Sequence, residues 1–143
     1  MVYLTRRERF NAAHKLHVPE WSEEKNREVF GKCSNKNWHG HNYELFVTVA
    51  GEPDPKLGFV IDAKLLSTIV REEIIADVDH ANFNLDVTWF PDHLQPTTEN
   101  VAIAFWKRIE ERVNAAGTGR LYCIKLCETE NIFAEYYGPG GRQ

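Results

Sequence analysis

The sequence has few cysteines, no long apolar run and no excess of basic residues. Its three cysteines are odd in number, which argues against a disulfide framework. No apolar run is long enough to cross a membrane, and the N-terminal residues lack the apolar core of a signal peptide. A net charge of −4 argues against a nucleic-acid surface. We therefore expect a cytoplasmic protein that binds neither nucleic acid nor membranes.

What is present is typical of one globular domain. Hydrophobic residues make up 43% and charged residues 27% of the 143 residues, which is enough chain to bury a core. Neither a linker nor an internal repeat divides it, so we expect residues 1–143 to form a single domain. Cys123 and Cys127 are predicted to lie about 13 Å apart on one strand, too far to form a disulfide.

The predicted order of elements is strand, strand, helix, helix, strand, strand (ββααββ), an α+β fold. We expect a four-stranded antiparallel sheet with two helices on one face. Its exposed edges need cover, and association of several subunits edge to edge would provide it and could close a barrel. The predicted strands cover 3–14, a stretch beginning near residue 39, 120–128 and 132–137; a short helical piece is expected around 22–27.

Local signals place the two helices. Asp62 fits the N-cap of the first, and apolar residues follow at helical spacing until a polar loop is expected over 77–85. Pro96, a Thr N-cap and Glu99 in the first turn mark the start of the second. The predicted inner faces are formed by Leu65, Leu66, Ile69, Val70 and Ile74 in the first helix, and by Val101, Phe105, Ile109 and Val113 in the second.

The central motif is His39-Gly-His41, which follows Cys33 and opens a predicted strand. On a strand, residues two apart point to the same face, so both imidazoles enter the apolar face together. His14 ends the first strand on its apolar face and is a candidate third ligand, although a lone histidine there is also compatible with simple packing. Catalytic zinc usually takes three protein ligands and keeps one position open.

Two further acidic positions invite a functional interpretation. Asp79 can orient the adjacent His80, or it can cap the loop and leave His80 exposed. Glu128 ends an apolar row in the third long strand and can accept two N–H donors from a ligand. The alternative for Glu128 is an exposed position at the tip of a hairpin.

Six motifs follow one another along the sequence. They are Arg9-Phe-Asn-Ala-Ala-His14, Phe30-Gly-Lys-Cys33, Asn37-Trp-His39-Gly-His41-Asn-Tyr43, Val78-Asp79-His80-Ala-Asn-Phe-Asn84, Pro96-Thr97-Thr98-Glu99-Asn100-Val101 and Glu128-Thr-Glu-Asn131. In this order they resemble the 6-pyruvoyl-tetrahydropterin synthase family over essentially the whole chain. The resemblance implies the tunnelling fold (T-fold), in which three four-stranded sheets close a twelve-stranded barrel, and two such trimers form a homohexamer with active sites between subunits.

The resemblance also implies an activity. The family converts 7,8-dihydroneopterin triphosphate to 6-pyruvoyl-tetrahydropterin and triphosphate, in tetrahydrobiopterin biosynthesis. The redox change is internal, and the sequence has no dinucleotide fingerprint, so we expect no nicotinamide cofactor. One Zn²⁺ per subunit is implied, and Mg²⁺ is a candidate companion of the triphosphate. The implied zinc ligands are His14, His39 and His41.

Roles for the other residues follow from the same resemblance. Cys33 is the implied base, helped by His80, which Asp79 orients. The pterin ring is expected to bind to Glu128 and to contacts from Thr97 and Thr98. Candidate cations for the triphosphate are Arg9, Lys32 and Lys36.

Two other functions remain open. The related 6-carboxy-tetrahydropterin synthases of queuosine biosynthesis typically place three residues between the cysteine and His-Gly-His. Here five residues separate Cys33 from His39, as in the biopterin enzymes. A non-catalytic zinc-stabilised pterin-binding module is the second alternative, and it would gain support if Cys33 were a fourth metal ligand.

Overall fold

The computed structural model describes residues 1–142 and contains one five-stranded sheet. The strands are β1 (Val2–His14), β2 (His39–Gly51), β3 (Ala81–Asn82), β4 (Arg120–Cys127) and β5 (Phe133–Tyr136). They lie in the order β3-β1-β2-β4-β5; β3 pairs parallel with β1, and the other neighbours are antiparallel. The sheet therefore has one strand more than predicted, because the two residues of β3 lie in a polar stretch without a periodic pattern.

Strands β1 and β2 pair without interruption along their whole length. Their register runs from Val2 opposite Gly51 to His14 opposite His39. The buried residues alternate along both strands, so that the side chains of Phe10, Ala12 and His14 share the inner face, as the sequence predicted. This register brings the two histidine-bearing ends of the strands together.

Three helical regions accompany the sheet. Helix α1 (Glu23–Phe30) precedes a 3₁₀-helix at Gly31–Ser34. Helix α2 (Ala63–Val70) passes through a π-helical turn (Arg71–Ile75) into α3 (Ala76–Val78), and α4 spans Thr98–Ala115. None of the helices among the described residues has the length and apolar character needed to cross a membrane.

The predicted helix starts are confirmed by their caps. The side chain of Asp62 accepts hydrogen bonds from the backbone N–H groups of Lys64 and Leu65. Thr97 caps α4 by accepting from the backbone N–H of Asn100. Leu65, however, is 39% exposed rather than part of the inner face.

The first long helical segment extends further than predicted. Asp77 and Val78 are helical, although the sequence around them suggested a loop. Val78 is completely buried in the core, so tertiary packing favours one more turn over the local preference of the polar residues.

A β-bulge changes which residues of β4 face the core. The register with β2 shifts between Thr48 and Val49, so Leu121 rather than Tyr122 is buried. Strict alternation along β4 would place Tyr122 on the same face as Ile124, and the structure shows that this expectation is wrong. The alternation beyond the bulge is regular and directs Glu128 toward the histidine-bearing end of the sheet.

Candidate metal centre and adjoining cavity

Three histidines converge at the end of the β1–β2 pair. His14 lies opposite His39 in the register, and His41 follows two residues later. Each offers one ring nitrogen, and these atoms all lie within 4.8 Å of one another. The strand pairing thus brings together the three side chains that the sequence suggested as metal ligands.

The environment of this histidine cluster favours neutral rings. Burial lowers the pKa of His14, His39 and His41, because a charged imidazolium loses solvation. For His39 and His41 a neighbouring histidine of the cluster adds to this effect. Neutral imidazole is the form that binds a metal ion.

Two contacts within the cluster fit a bound cation. The Nε2 atoms of His14 and His41 lie 3.1 Å apart. Among the described residues, buried Nδ1 of His39 has no hydrogen-bond partner. Unpartnered and crowded ring nitrogens are unfavourable in a buried site, and a cation shared by the rings would satisfy them. Nitrogen donors of this kind suit zinc and other late first-row metals.

The orientation of His14 is set by a backbone carbonyl. Its Nδ1 lies 2.8 Å from the oxygen of Pro96. A carbonyl only accepts hydrogen bonds, so Nδ1 carries the proton and the lone pair resides on Nε2, which faces the cluster. The sequence suggested Pro96 as a helix-start signal but not as a partner of His14, since a backbone oxygen has no residue signature.

Glu128 reaches the histidine cluster from β4. Its Oε1 lies 3.3 Å from Nε2 of His14 and 3.4 Å from Nε2 of His41. The side chain is only 15% exposed, so it is not the exposed hairpin tip that was the alternative.

A cavity of about 740 Å³ opens beside the cluster. Its volume is in the range of small-molecule sites. It is lined by polar and charged side chains from several strands and loops. These include Arg9, His41, Tyr43, Glu44, Asp79, His80, Glu128 and Glu130.

The Asp79–His80 pair forms part of the cavity wall. Oδ1 of Asp79 lies 3.0 Å from Nδ1 of His80 and also accepts from the backbone N–H of Asn11 at 2.9 Å. The bond from Asn11 is the main reason that the pKa of Asp79 is lowered, which keeps the carboxylate charged. His80 has a positive φ of 62° and donates its backbone N–H to the oxygen of Asn11. Asp79 therefore contacts both the His80 ring and the backbone of β1, and the side chain of His80 is 78% exposed in the single chain.

Other predicted site residues do not join this cavity within one chain. Cys33 is exposed on the 3₁₀-helix, and its backbone oxygen accepts from the N–H of Leu16. Thr97 is occupied as the N-cap of α4, and Thr98 is buried. Among the described residues, the cavity lining includes none of these three.

Of the candidate cations, Arg9 alone lines the cavity. Its Nε lies 3.5 Å from Oε2 of Glu44. Lys32 belongs to the 3₁₀-helix, and Lys36 follows it; neither is part of the described lining. Asn11 is a residue that sequence reasoning missed, although it lies within the motif that ends at His14.

Comparison with known proteins agrees with this geometry. The family model described as 6-pyruvoyl tetrahydropterin synthase matches residues 3–139. The 6-pyruvoyl tetrahydrobiopterin synthase of Pongo abelii is 42% identical and that of Homo sapiens 41% identical, each over 94% of this chain and 90% of the relative. The solved Caenorhabditis elegans 6-pyruvoyl tetrahydropterin synthase is 37% identical, with a TM-score of 0.83 over 96% of this chain and 95% of that one.

The family match spans nearly the whole chain, including every strand and helix that builds the cavity. The resemblance inferred from the six motifs is thereby confirmed. This chain belongs to the 6-pyruvoyl tetrahydropterin synthase family, a family of enzymes.

Proposed function

We propose that this chain is a zinc-dependent enzyme that converts 7,8-dihydroneopterin triphosphate to 6-pyruvoyl-tetrahydropterin and triphosphate. Triphosphate is eliminated, and the remaining hydroxyl-bearing carbons of the side chain become ketones. The pterin ring of the same molecule is reduced in this internal redox change. The observation that carries the proposal is the convergence of the histidine cluster, Glu128 and the Asp79–His80 pair at one cavity.

The metal would be held by His14, His39 and His41, one Zn²⁺ per subunit. Support comes from the three converging nitrogens, the lowered pKa values and the unpartnered Nδ1 of His39. Bound zinc would act as a Lewis acid toward the oxygens of the substrate side chain. Mg²⁺ would accompany the triphosphate as part of the substrate complex.

Glu128 would bind the pterin ring. A carboxylate has two oxygens that can accept a ring N–H and an exocyclic N–H side by side, which fixes the ring plane. Because Oε1 is 3.3 Å from His14 Nε2, a ring held here places its side chain near the metal ligands. Thr97 and Thr98 would contribute contacts to the ring edge from the start of α4.

Cys33 would remove protons from the hydroxyl-bearing carbons. His80, oriented by Asp79, would exchange protons with it and stabilise the thiolate. Two backbone hydrogen bonds support this pairing of roles. The oxygen of Cys33 accepts from the N–H of Leu16, and the N–H of His80 donates to the oxygen of Asn11, so each residue is attached to the chain close to His14 in sequence.

The arrangement also supports active sites shared between subunits. Within one chain Cys33 and the Asp79–His80 pair do not line one described cavity. We propose a homohexamer that completes the site. It would consist of two trimers, each closing a twelve-stranded barrel from the four longer strands of every subunit, with the two-residue β3 outside the barrel. Size-exclusion chromatography with light scattering should give six times the 16.6 kDa chain mass. A monomer at working concentration would contradict the shared site.

The triphosphate needs cations at the cavity. Arg9 is the best placed in the single chain, because it lines the cavity beside Glu44. Lys32 and Lys36 would contribute only if another subunit brings the region around the 3₁₀-helix to the same cavity.

One experiment tests the reaction directly. The purified protein, loaded with Zn²⁺, is incubated with 7,8-dihydroneopterin triphosphate, and the product is identified by mass spectrometry. 6-Pyruvoyl-tetrahydropterin is expected, whereas 6-carboxy-tetrahydropterin would support the related synthase. Binding without turnover would support the non-catalytic module. The five-residue spacing between Cys33 and His39 favours the first outcome.

A further inference from the structure

The chain that follows His14 leaves the sheet, and three side-chain amides bind its backbone. Asn84 accepts from Lys15 N–H at 3.0 Å and donates to Lys15 O at 3.1 Å. Gln95 does the same at His17, at 2.9 and 2.7 Å. Asn26 pairs with Val18 in the same manner, at 2.8 and 3.0 Å. Each amide replaces the partner that a neighbouring strand would have supplied.

Gln95 differs from the other two because of its neighbour in the chain. The next residue, Pro96, provides the carbonyl that accepts the Nδ1–H of His14. Gln95 therefore links the segment that carries His14 to the group that orients the ring of His14. Asn84 and Asn26 lie elsewhere in the sequence and have no such connection.

The start of α4 also holds the backbone of Gln95. Its carbonyl accepts from the side-chain amide of Asn100 at 2.9 Å and from the N–H of Thr97 at 2.8 Å. Proline has a fixed φ and restricts the residue before it to extended conformations. The Pro96 carbonyl thus has little freedom once Gln95 is bound to both His17 and the start of α4.

We propose that Gln95 is a positioning residue of the metal centre. Its bidentate bond to His17 keeps the Pro96 carbonyl against His14, which holds the ring with Nδ1 protonated and Nε2 free toward the cluster. The proposal rests on the metal site of the proposed function. Outer partners of metal-bound histidines commonly affect affinity by about 10- to 100-fold when they are removed.

The test compares Gln95→Leu with a matched control, Asn84→Leu. Both variants remove a bidentate amide from the same segment, but only the first is linked to Pro96. Zn²⁺ affinity of the purified full chain is measured by competition with a chromophoric chelator. We expect about tenfold weaker binding for Gln95→Leu and a near-wild-type value for Asn84→Leu.

A second readout reports the ring directly. Nitrogen-15 NMR of the metal-free protein should show His14 protonated at Nδ1 in the wild type and in Asn84→Leu. In Gln95→Leu the two ring nitrogens should become a mixture of tautomers. A merely structural role would lower thermal stability without this change in the ring.

The possible results either support or overturn the positioning role of Gln95. Gln95→Glu retains the acceptor for His17 N–H but sets a carboxylate oxygen against the His17 carbonyl, so a loss similar to that of Gln95→Leu is expected; it also serves if Gln95→Leu does not fold. Unchanged zinc affinity with His14 still protonated at Nδ1 in the folded Gln95 variant would overturn the proposal, as would an equal loss in Asn84→Leu. If the wild type binds no Zn²⁺, the proposed metal site fails, while the NMR comparison still decides the role of Gln95.

Discussion

Oε1 of Glu128 lies 3.3 Å from Nε2 of His14, although the two residues come from nearly opposite ends of the chain. The same oxygen is 3.4 Å from Nε2 of His41. A ligand that binds the carboxylate is therefore adjacent to any cation that binds the imidazoles. In the proposed function, this proximity would couple pterin recognition by Glu128 to the chemistry of a metal ion held by the histidines.

Replacing Glu128 with glutamine should weaken pterin binding. The amide keeps the shape but accepts with one oxygen only and carries no charge, and a hydrogen bond to a charged group is worth about 1.5–3 kcal/mol. We expect a 10- to 100-fold weaker affinity for neopterin without its triphosphate, measured by fluorescence titration. Glu130→Gln, at the same cavity, is the control and should bind almost normally. Equal affinities for wild type and Glu128→Gln would contradict the assignment.

His39→Ala should lower the zinc content. Removing one of three nitrogen ligands leaves a site that a divalent ion fills poorly. Metal analysis of the purified variant should give well below one Zn²⁺ per subunit. His93→Ala, which changes an exposed histidine outside the cluster, should retain the wild-type content. An unchanged stoichiometry in His39→Ala would show that His39 is not a ligand.

Cys33→Ala should stop turnover without emptying the site. General-base catalysis contributes about 10²- to 10⁴-fold, so kcat should fall by that order while zinc content and pterin affinity persist. Cys123→Ala, which alters a buried cysteine outside the cavity, should keep near-normal kcat. Loss of zinc in Cys33→Ala would instead make the thiol a metal ligand, and retained turnover would exclude it as the base.

Glu8 should make the stability of the fold depend on pH. Its carboxylate, on the inner side of β1, accepts from Ser67 at 2.8 Å, Arg6 at 2.9 Å and Arg71 at 3.2 Å. Burial alone would raise the pKa of Glu8, but these hydrogen bonds outweigh it and the pKa lies below its ordinary 4.5. A lowered pKa means that the stabilisation is complete above 4.5 and is lost as the pH falls through the folded-state pKa.

Glu8→Gln should therefore reduce the free energy of unfolding by about 1 kcal/mol at pH 7 and by less at pH 3. Urea unfolding at both pH values measures the difference. Glu111→Gln, at an exposed position, should follow the wild type. A loss of stability that is equal at both pH values would mean that the charge of Glu8 is not responsible.

The long elements were predictable because their patterns are local. Thr97 and Asp62 cap the helices at the expected residues, and the alternation of β1 and β2 holds along their full length. Strand β3 and the helical extension to Val78 were missed. Both depend on contacts with β1 and the core, which override weak local preferences.

The bulge in β4 also depends on contacts between strands and not on the local sequence pattern. One additional residue, Tyr122, shifts the pairing with β2 and exchanges the faces of its neighbours. Strict alternation along β4 does not reveal such an insertion, since it arises from pairing with another strand.

The sequence by itself identified the three candidate metal ligands. Alternation along β1 and β2 places His14, His39 and His41 on one face, because strand side chains point to opposite sides in turn. Only the tertiary structure decided what surrounds them. The Pro96 carbonyl against His14 and the Glu128 carboxylate above the cluster join segments distant in sequence, and a backbone oxygen has no residue signature to detect.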